Sequence, residues 1–383
     1  MSLINERMAQ LDSALAPYAT KYLDAERIIP EEPLEFEIPF MADIQRVTGL
    51  KASHALTRKT QIFFSPKRDC FNTRGTHARS VANDAMDIGM ALGLNLSLLE
   101  ASALGHDIGH TPFGHAGEKA LNRILSIEFK HYLQSHRIPT VLEPVNLTMQ
   151  VLDAIKNHSS GSGFSGVTSD AHKTHESVVI YFVDKTAETI HDIKDLSTAK
   201  IIRLEELPEK ALERLGITLS ELLRDPTKGF RKMRRALLDS IIRNSTGLDR
   251  EMTKTICMGQ NEQDAIVELK SFRYSVFDKA VMQKRDEFAG ESVRLLYDHF
   301  NAHPLQLRNT EFHKDMHKRL GSLTYGDYLR TNDFDVVFAD LFSSMSDKGV
   351  KNLCYAIDPT KAEKIFGLLN EINRGMSGGL LGV

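Results

Sequence analysis

The chain has 383 residues, 42% hydrophobic and 26% charged, with a formal net charge of −3, a composition ordinary for a globular chain long enough for one large core or two moderate ones. It holds no apolar run of about 18 residues, so no transmembrane helix is expected, and the near-neutral balance disfavours nucleic acid as a partner. The opening MSLINERMAQLDSALAPY lacks the apolar core of a secretory signal, and Cys70, Cys257 and Cys354 fit no zinc spacing, so a reducing cytoplasm is the expected location.

Residues 1–42 read as an N-terminal arm, because Pro30, Pro33 and Pro39 interrupt any helix. A helical stretch is expected over 43–62, then a short apolar run, Ile62 to Phe64, with the character of a strand, and a turn at Ser65-Pro66. Two helical patterns follow. In the first, His77, Val81, Ala85, Ile88 and Leu92 share one face, and Gly93 closes the helix. The second opens with Ser97 and Glu100 spaced as a capping box and runs to His106, where Gly109 and Pro112 end helical geometry. Helical patterns return at 118–126 and 150–158, and the Ser/Gly-rich 159–173 reads as a surface loop or lid. Another helix runs from His175 to about Leu196, burying Val179, Phe182, Val183, Thr186 and Ile190. Segments 209–215, 219–224, 229–243, 263–270, 288–302 and 334–345 are also helical in pattern. The basic runs Lys67-Arg68 and Arg231 to Arg235 read as solvated faces or phosphate contacts. With no βαβ alternation, the expectation is an all-α fold with little strand.

Adjacent helical residues point about 100° apart, so both can reach one metal only near a helix end. His106-Asp107 occupies such an end. Together with His77 from the preceding helix it makes a mixed nitrogen/oxygen site for a divalent metal. Asp184 lies among apolar residues and needs a partner when buried, which makes it the candidate fourth ligand. The chain has a second adjacent pair, His191-Asp192, so the assignment rests on the constellation.

The pattern H…HD…D across three helices resembles the HD-domain superfamily, and within it the deoxynucleoside triphosphate triphosphohydrolases. The resemblance is carried by TRGTHARSVA (73–82) and HDIGHTPFGHAGE (106–118), and extends through KTQIF (59–63), FKHYLQSHRI (129–138), DKTAETIHDIKD (184–195), VRLLYDHFNAHPLQL (293–307) and ADLFSSMSD (339–347). It covers roughly 43–350. It implies an HD-domain catalytic core over 43–200, with further C-terminal helices over 201–383 packed on it.

The resemblance also implies a reaction in which water attacks the α-phosphorus of a dNTP and the 5′-oxygen leaves, giving a 2′-deoxynucleoside and inorganic triphosphate. His77, His106, Asp107 and Asp184 would hold one divalent metal, with manganese favoured over iron, magnesium, cobalt or zinc. His115 matches the catalytic histidine, with Glu118 placed to orient it; His110 and His131 match residues lining the phosphates, and one of them can share the acid role. Arg74 and Lys185 match phosphate contacts, while Gln61 and Asp192 match partners of the sugar 3′-hydroxyl. A homo-oligomer and an activating dNTP are further implications. The chain departs from the family pattern at His54-Ala55, which replaces an arginine pair, and at His136, Lys348 and Gly349. Glu188 stands where the family has a sugar-packing tyrosine, and would repel phosphate unless paired with Lys185 or an arginine. These departures keep two alternatives open: another HD-type phosphohydrolase such as a nucleoside monophosphatase, and an inactive nucleotide-binding regulatory subunit.

Overall fold

The computed structural model describes residues 3–31, 37–64, 70–159, 164, 171–276 and 279–377. Ser65-Pro66, Lys67-Arg68, most of the Ser/Gly-rich segment 159–173 and the tail beyond Ser377 lie outside the described residues.

The fold is all-α, as the patterning predicts. Among the described residues, β pairing is confined to two isolated bridges, Arg27 with Thr148 and Thr60 with Thr73. The chain opens with α1 (Leu3–Ala14), then α2 (Pro39–Gly49) and α3 (Lys51–Leu56). The single helix expected over 43–62 is thus two, broken at Leu50, whose extended backbone (φ −66°, ψ 140°) caps α3. Glu143 accepts from the amides of Lys51 and Ala52 at 2.9 and 3.2 Å, which satisfies the new helix start. Ile62 to Phe64 is not a strand but a series of bends. Its apolar run reflects burial: Phe63 packs edge-on to Phe71 at 4.9 Å, and Phe64 is buried beside Phe113.

Next come α4 (Arg74–Leu92) and α5 (Leu96–Gly105). Gly93 ends α4 at φ +67°, a conformation that suits glycine. The cap of α5 is Asn95, whose side chain accepts from the Leu98 amide at 3.1 Å; the expected Ser97–Glu100 box is absent. Asn95 precedes the serine by two positions and reaches the first turn, while Ser97 contacts Tyr22 and Glu100 pairs with Arg79. Then follow α6 (His115–Ile124), α7 (His131–Arg137), α8 (Met149–Asn157) and α9 (His175–Thr198). A third series comprises α10 (Glu209–Arg214), α11 (Leu219–Arg224), α12 (Pro226–Asn244) and α13 (Gln260–Val276). Proline at the first position of α12 uses a site that needs no amide donor. The chain closes with α14 (Lys279–Ala302), α15 (Pro304–Arg308), α16 (Glu311–Thr331), α17 (Phe334–Ser344), α18 (Asp347–Ile357) and α19 (Pro359–Ser377). α16 is interrupted at Gly321, where φ is 74°.

The chain forms two compact units, each assembled from three segments. The first comprises Met1–Gly49, Thr76–His106 and Val145–Val276. Its centre is α9, apolar and buried almost all round through Val178, Val179, Ile180, Tyr181 and Val183. Helices α5, α8, α12 and α13 pack on it, and α2 packs on α5. The opening segment contributes buried Ile4 and Met8; Tyr18 donates to the Leu92 carbonyl and Thr20 to Glu176, both at 2.8 Å. The second unit comprises Leu50–Gly75, Asp107–Pro144 and Phe277–Val383. There α14 packs against α6, α18 and α19, and Phe288 meets Phe64, Phe113 and Phe366. A buried carboxylate, Asp340, ties this unit together. It takes two bonds from Arg137, at 2.9 Å each, and one each from Gln134 and Tyr328 at 2.8 Å.

Replacing Asn95 with alanine should lower unfolding stability by about 1 kcal/mol, the usual cost of a lost N-cap, while Ser97→Ala should cost only a few tenths. Denaturant melts of both variants check which residue caps α5.

Candidate functional site

In the first unit two imidazoles converge on one carboxylate. His77, in the first turn of α4, is fully buried, and its Nε2 lies 2.9 Å from Asp184 Oδ1. His106, at the end of α5 where the helix stops, brings its Nε2 to 3.5 Å from the same oxygen. Its Nδ1 donates to the Ala103 carbonyl at 2.6 Å, which assigns the other ring nitrogen to the carboxylate side. Without a cation, a neutral His106 would point a lone pair at Asp184. The arrangement therefore calls for a proton or a metal between them. Burial opposes ionisation of Asp184, but hydrogen bonds from His106 and His77 hold its carboxyl well below the ordinary range. A further histidine joins the group. His158, past the end of α8, donates from Nδ1 to Ile155 at 2.8 Å, and the ligand atoms of His106, His158 and Asp184 all lie within 4.8 Å of one another. Two nitrogens and an oxygen ready to share one cation fit a divalent metal of the manganese-to-zinc series. His191 backs His77, Nδ1 to Nδ1 at 3.4 Å, and burial drives its pKa down to about 3, so it stays neutral.

The same helix α9 presents Asp184, Glu188 and Asp192 one turn apart. Helix α13 answers with two cations. Arg273, only 7% exposed, bonds Glu188 Oε1 at 3.3 Å and, from the same Nη1, Asp192 Oδ2; Lys270 reaches Glu188 Oε2 at 3.2 Å. Burial disfavours the Arg273 charge, but Glu188 and Asp192 more than compensate. Glu188 is paired as its position requires, though by Arg273 and Lys270 and not by Lys185. Lys185 instead lies over the Tyr181 ring at 3.7 Å, with burial pulling its pKa to about 8 against the opposing pull of Asp184.

The second unit holds the other group of predicted residues. Asp107, joined to His106 by a peptide bond and 2% exposed, accepts from Arg74 Nη1 at 2.8 Å. Arg74 opens α4 and also bonds the Thr60 carbonyl at 3.2 Å. Four side chains then cluster: the ligand atoms of His110, His115, Glu118 and His131 lie within 4.8 Å of one another. Glu118 was expected to orient His115, but its closer partner is His131, whose Nδ1 lies at 2.8 Å; His115 Nδ1 is at 3.9 Å, beyond hydrogen-bond reach. Burial opposes the Glu118 charge, and His115 and His131 outweigh it, keeping the carboxyl ionised far below its usual range. His110 stacks on His131 at 4.7 Å. Burial, reinforced by Arg74, holds it neutral, and among the described residues its Nε2 has no partner. Gln61, 8% exposed, likewise has no partner for Oε1 among the described residues.

Behind this cluster lies a brace that the motif did not announce. Lys59, 1% exposed, donates to the carbonyls of His110 at 2.7 Å and Ser343 at 2.6 Å. Asp347 accepts from the Phe113 amide at 3.0 Å and from the Thr60 hydroxyl. Phe113 adopts φ +63°, costly for a residue with a Cβ, and Gly114 follows at φ +61°. A Cβ on Gly109 would fall on the backbone of Gln134 and Ser135, and one on Gly117 on the Pro112 carbonyl. Gly109 and Gly117 of HDIGHTPFGHAGE are therefore packing requirements of the turn that carries the histidines, and Gly114 a conformational one.

The HD domain family matches residues 74–189. A deoxyguanosinetriphosphate triphosphohydrolase-like protein of Clostridium perfringens (strain SM101 / Type A) is 34% identical over 343 residues, covering 86% of this chain and 94% of the relative. One from Caldanaerobacter subterraneus subsp. tengcongensis is 36% identical over 284 residues, 73% of this chain and 77% of the relative. One from Geobacter sulfurreducens is 37% identical over 218 residues, 53% and 57%.

Burial pushes the Asp347 carboxyl up to about 6, against the bonds from Thr60 and Phe113. A carboxyl raised above its unfolded value of about 3.9 destabilises progressively as pH rises from there through its folded value. The stability of the wild type relative to Asp347→Asn should therefore fall between about pH 4 and pH 6 and level off above. Urea melts across that range check it; a flat difference would refute it.

Proposed function

This chain belongs to the deoxyguanosinetriphosphate triphosphohydrolase-like family of HD-domain proteins, and from that premise we propose that it is a metal-dependent phosphohydrolase converting a dNTP and water to a 2′-deoxynucleoside and inorganic triphosphate. The observation that carries the reading is the approach of His77 and His106 to Asp184 Oδ1. His77, His106 and Asp184, with Asp107 supplied by the next residue of the chain, are the proposed metal ligands, and manganese is the first choice of ion. When bound, a divalent metal supplies positive charge at the α-phosphate and acidifies water.

The other residues have the following proposed roles. Arg74 orients Asp107 through its guanidinium and takes phosphate oxygen with its remaining donors. The reaction forms a bond from water oxygen to the α-phosphorus and breaks the bond to O5′, so O5′ needs a proton. His131, held through Nδ1 by the ionised Glu118, and the adjacent His115 are the proton carriers. His110, neutral and with an unpaired Nε2, is a phosphate-side contact. Gln61 and Asp192 take the sugar, and Lys185 a phosphate. A homo-oligomer, an activating dNTP and a cytoplasmic setting belong to the same proposal.

Purified protein with manganese should release triphosphate from at least one dNTP, resolved by phosphorus NMR. Asp184→Ala and Asp107→Ala should lower that rate by about a thousandfold or more, because metal and water activation are lost together. Orthophosphate from a nucleoside monophosphate would promote the monophosphatase reading. No turnover, with and without mixed dNTPs, would promote a nucleotide-binding regulatory subunit.

A further inference from the structure

His110, His115, Glu118 and His131 come from three places within the second unit: the turn after Asp107, the first turn of α6 and the start of α7. One ligand atom from each lies within 4.8 Å of those of the other three. Zinc bonded at about 2.0–2.1 Å sets neighbouring ligand atoms about 3.4 Å apart, so the set stands near a tetrahedral shell. His115, whose side chain is 61% exposed, has the freedom to close the remaining distance, while His110 and His131 are buried. A proton relay uses His131, Glu118 and a neighbour, and leaves two features unused. His110 is fully buried and its Nε2 has no partner among the described residues, while its Nδ1 lies 3.4 Å from the Thr111 carbonyl. His131 faces a carboxylate on each side, Glu118 from Nδ1 at 2.8 Å and Asp107 from Nε2 at 4.0 Å. An imidazole so placed binds metal through one nitrogen and keeps a proton on the other, toward a carboxylate.

We propose that His110, His115, Glu118 and His131 form a second metal site, separate from the set of His77, His106 and Asp184, that takes zinc and stops turnover when filled. Three imidazoles and one carboxylate are a donor set for zinc, whereas magnesium and calcium prefer oxygen. Zinc takes one lone pair from each imidazole and one from a Glu118 oxygen, and the proton shared between His131 and Glu118 is released to solvent. His115 and His131 are also the side chains proposed to carry a proton to O5′. With their lone pairs on zinc, they have no proton to deliver to the leaving group. The inhibitory half of the inference rests on the hydrolysis reading; the binding half does not.

The test has two readouts. In the first, zinc is titrated calorimetrically into the metal-free full chain and into Asp184→Ala, Glu118→Gln and His115→Ala, each checked for folding by circular dichroism. The wild type should bind a second zinc beyond the one that Asp184→Ala weakens. Glu118→Gln and His115→Ala should each weaken that second zinc by more than a hundredfold, beyond the roughly 10–100-fold cost of disturbing an outer partner of a ligand. Glu118→Asp, which keeps the carboxylate, should recover part of the affinity. A single zinc in the wild type, lost in Asp184→Ala and untouched by Glu118→Gln and His115→Ala, would overturn the site. The second readout is triphosphate release by manganese-loaded protein under increasing zinc, with bound manganese followed by elemental analysis. The expected result is a fall in kcat of about a hundredfold or more, the usual share of a general acid, while manganese stays bound. Loss of manganese in step with activity would show displacement at the first site and overturn the inhibitory role. If no nucleotide yields triphosphate, the hydrolysis reading falls, and calorimetry decides the zinc site alone.

Discussion

The constraint behind the first unit is a carboxylate held among apolar helices. Asp184 sits on α9 between the buried Val183 and a lysine that turns onto Tyr181. An ionised group in that position is costly unless other charges meet it. His77, from the first turn of α4, and His106, at the end of α5, meet it. His106 keeps helical backbone (φ −58°, ψ −39°) at the end of α5, and the chain turns over 106–109 directly after the helix. The packing of α5 follows from the same requirement. A Cβ on Gly105 would run into Ile155, so the helix end lies close to α8, whose own end supplies His158. The ends of α5 and α8 thus bring His106 and His158 to the carboxylate on α9.

In the second unit a brace takes the corresponding part. The turn after Asp107 must expose several imidazoles at once, and it does so with backbone conformations that a free peptide would avoid. Phe113 at positive φ is the clearest of these, and such a conformation costs of order 1–2 kcal/mol. Burial of its ring against Phe64 and Phe288, at 5.6 and 4.9 Å, offsets that cost, and Asp347 holds its amide. Lys59 secures the His110 carbonyl in the same way. Its ammonium is so buried that its pKa falls to about 7, with Asp347 and Asp107 opposing the shift. A lysine and an aspartate whose pKa values burial draws toward neutral pH are poor stabilisers, yet each holds a backbone group of the histidine-bearing turn. Their role is to fix geometry, and unpaired carbonyls and amides would be the consequence of replacing them with apolar residues.

The helical class and the chief metal-ligand candidates were legible because both leave strong local marks. Periodicity reveals α4 and α9, and a histidine-aspartate pair at a helix end is a short-range signal. Capping was legible only to within two residues: Ser97 with Glu100 has the right spacing, but Asn95 is the better placed acceptor. The run Ile62 to Phe64 looked like a strand because apolar runs record burial, and burial is all it has here. The helices at 311–331, 347–357 and 359–377 went unrecognised, partly because charged exposed faces dilute their apolar stripes. Long-range pairing was invisible in principle. Nothing near Glu188 in sequence points to Arg273, 85 residues away, and nothing near Glu118 says that His131 lies closer to it than His115. His158 ends an ordinary amphipathic helix and carries no local signature of its position beside His106.

These long-range pairs also explain how α9 carries Glu188 between Asp184 and Asp192 and keeps its fold. A carboxylate introduced alone on the face of α9 would sit one turn from Asp184 and one turn from Asp192, three like charges in a row. Such a row would raise the pKa values of all three or push the helix outward. The cations of α13 prevent both outcomes. Arg273 is bound by two carboxylates and Lys270 by one, so neutralisation is achieved within the first unit and leaves Lys185 on the Tyr181 ring. The histidine and aspartate set at one end of the face is then insulated from the change at the other. A carboxylate that looks hostile to its neighbours when read alone becomes, with its partners, a locally neutral group on a single helix. That confinement lets the Glu188 end of α9 carry extra charge without disturbing the part that meets His77 and His106.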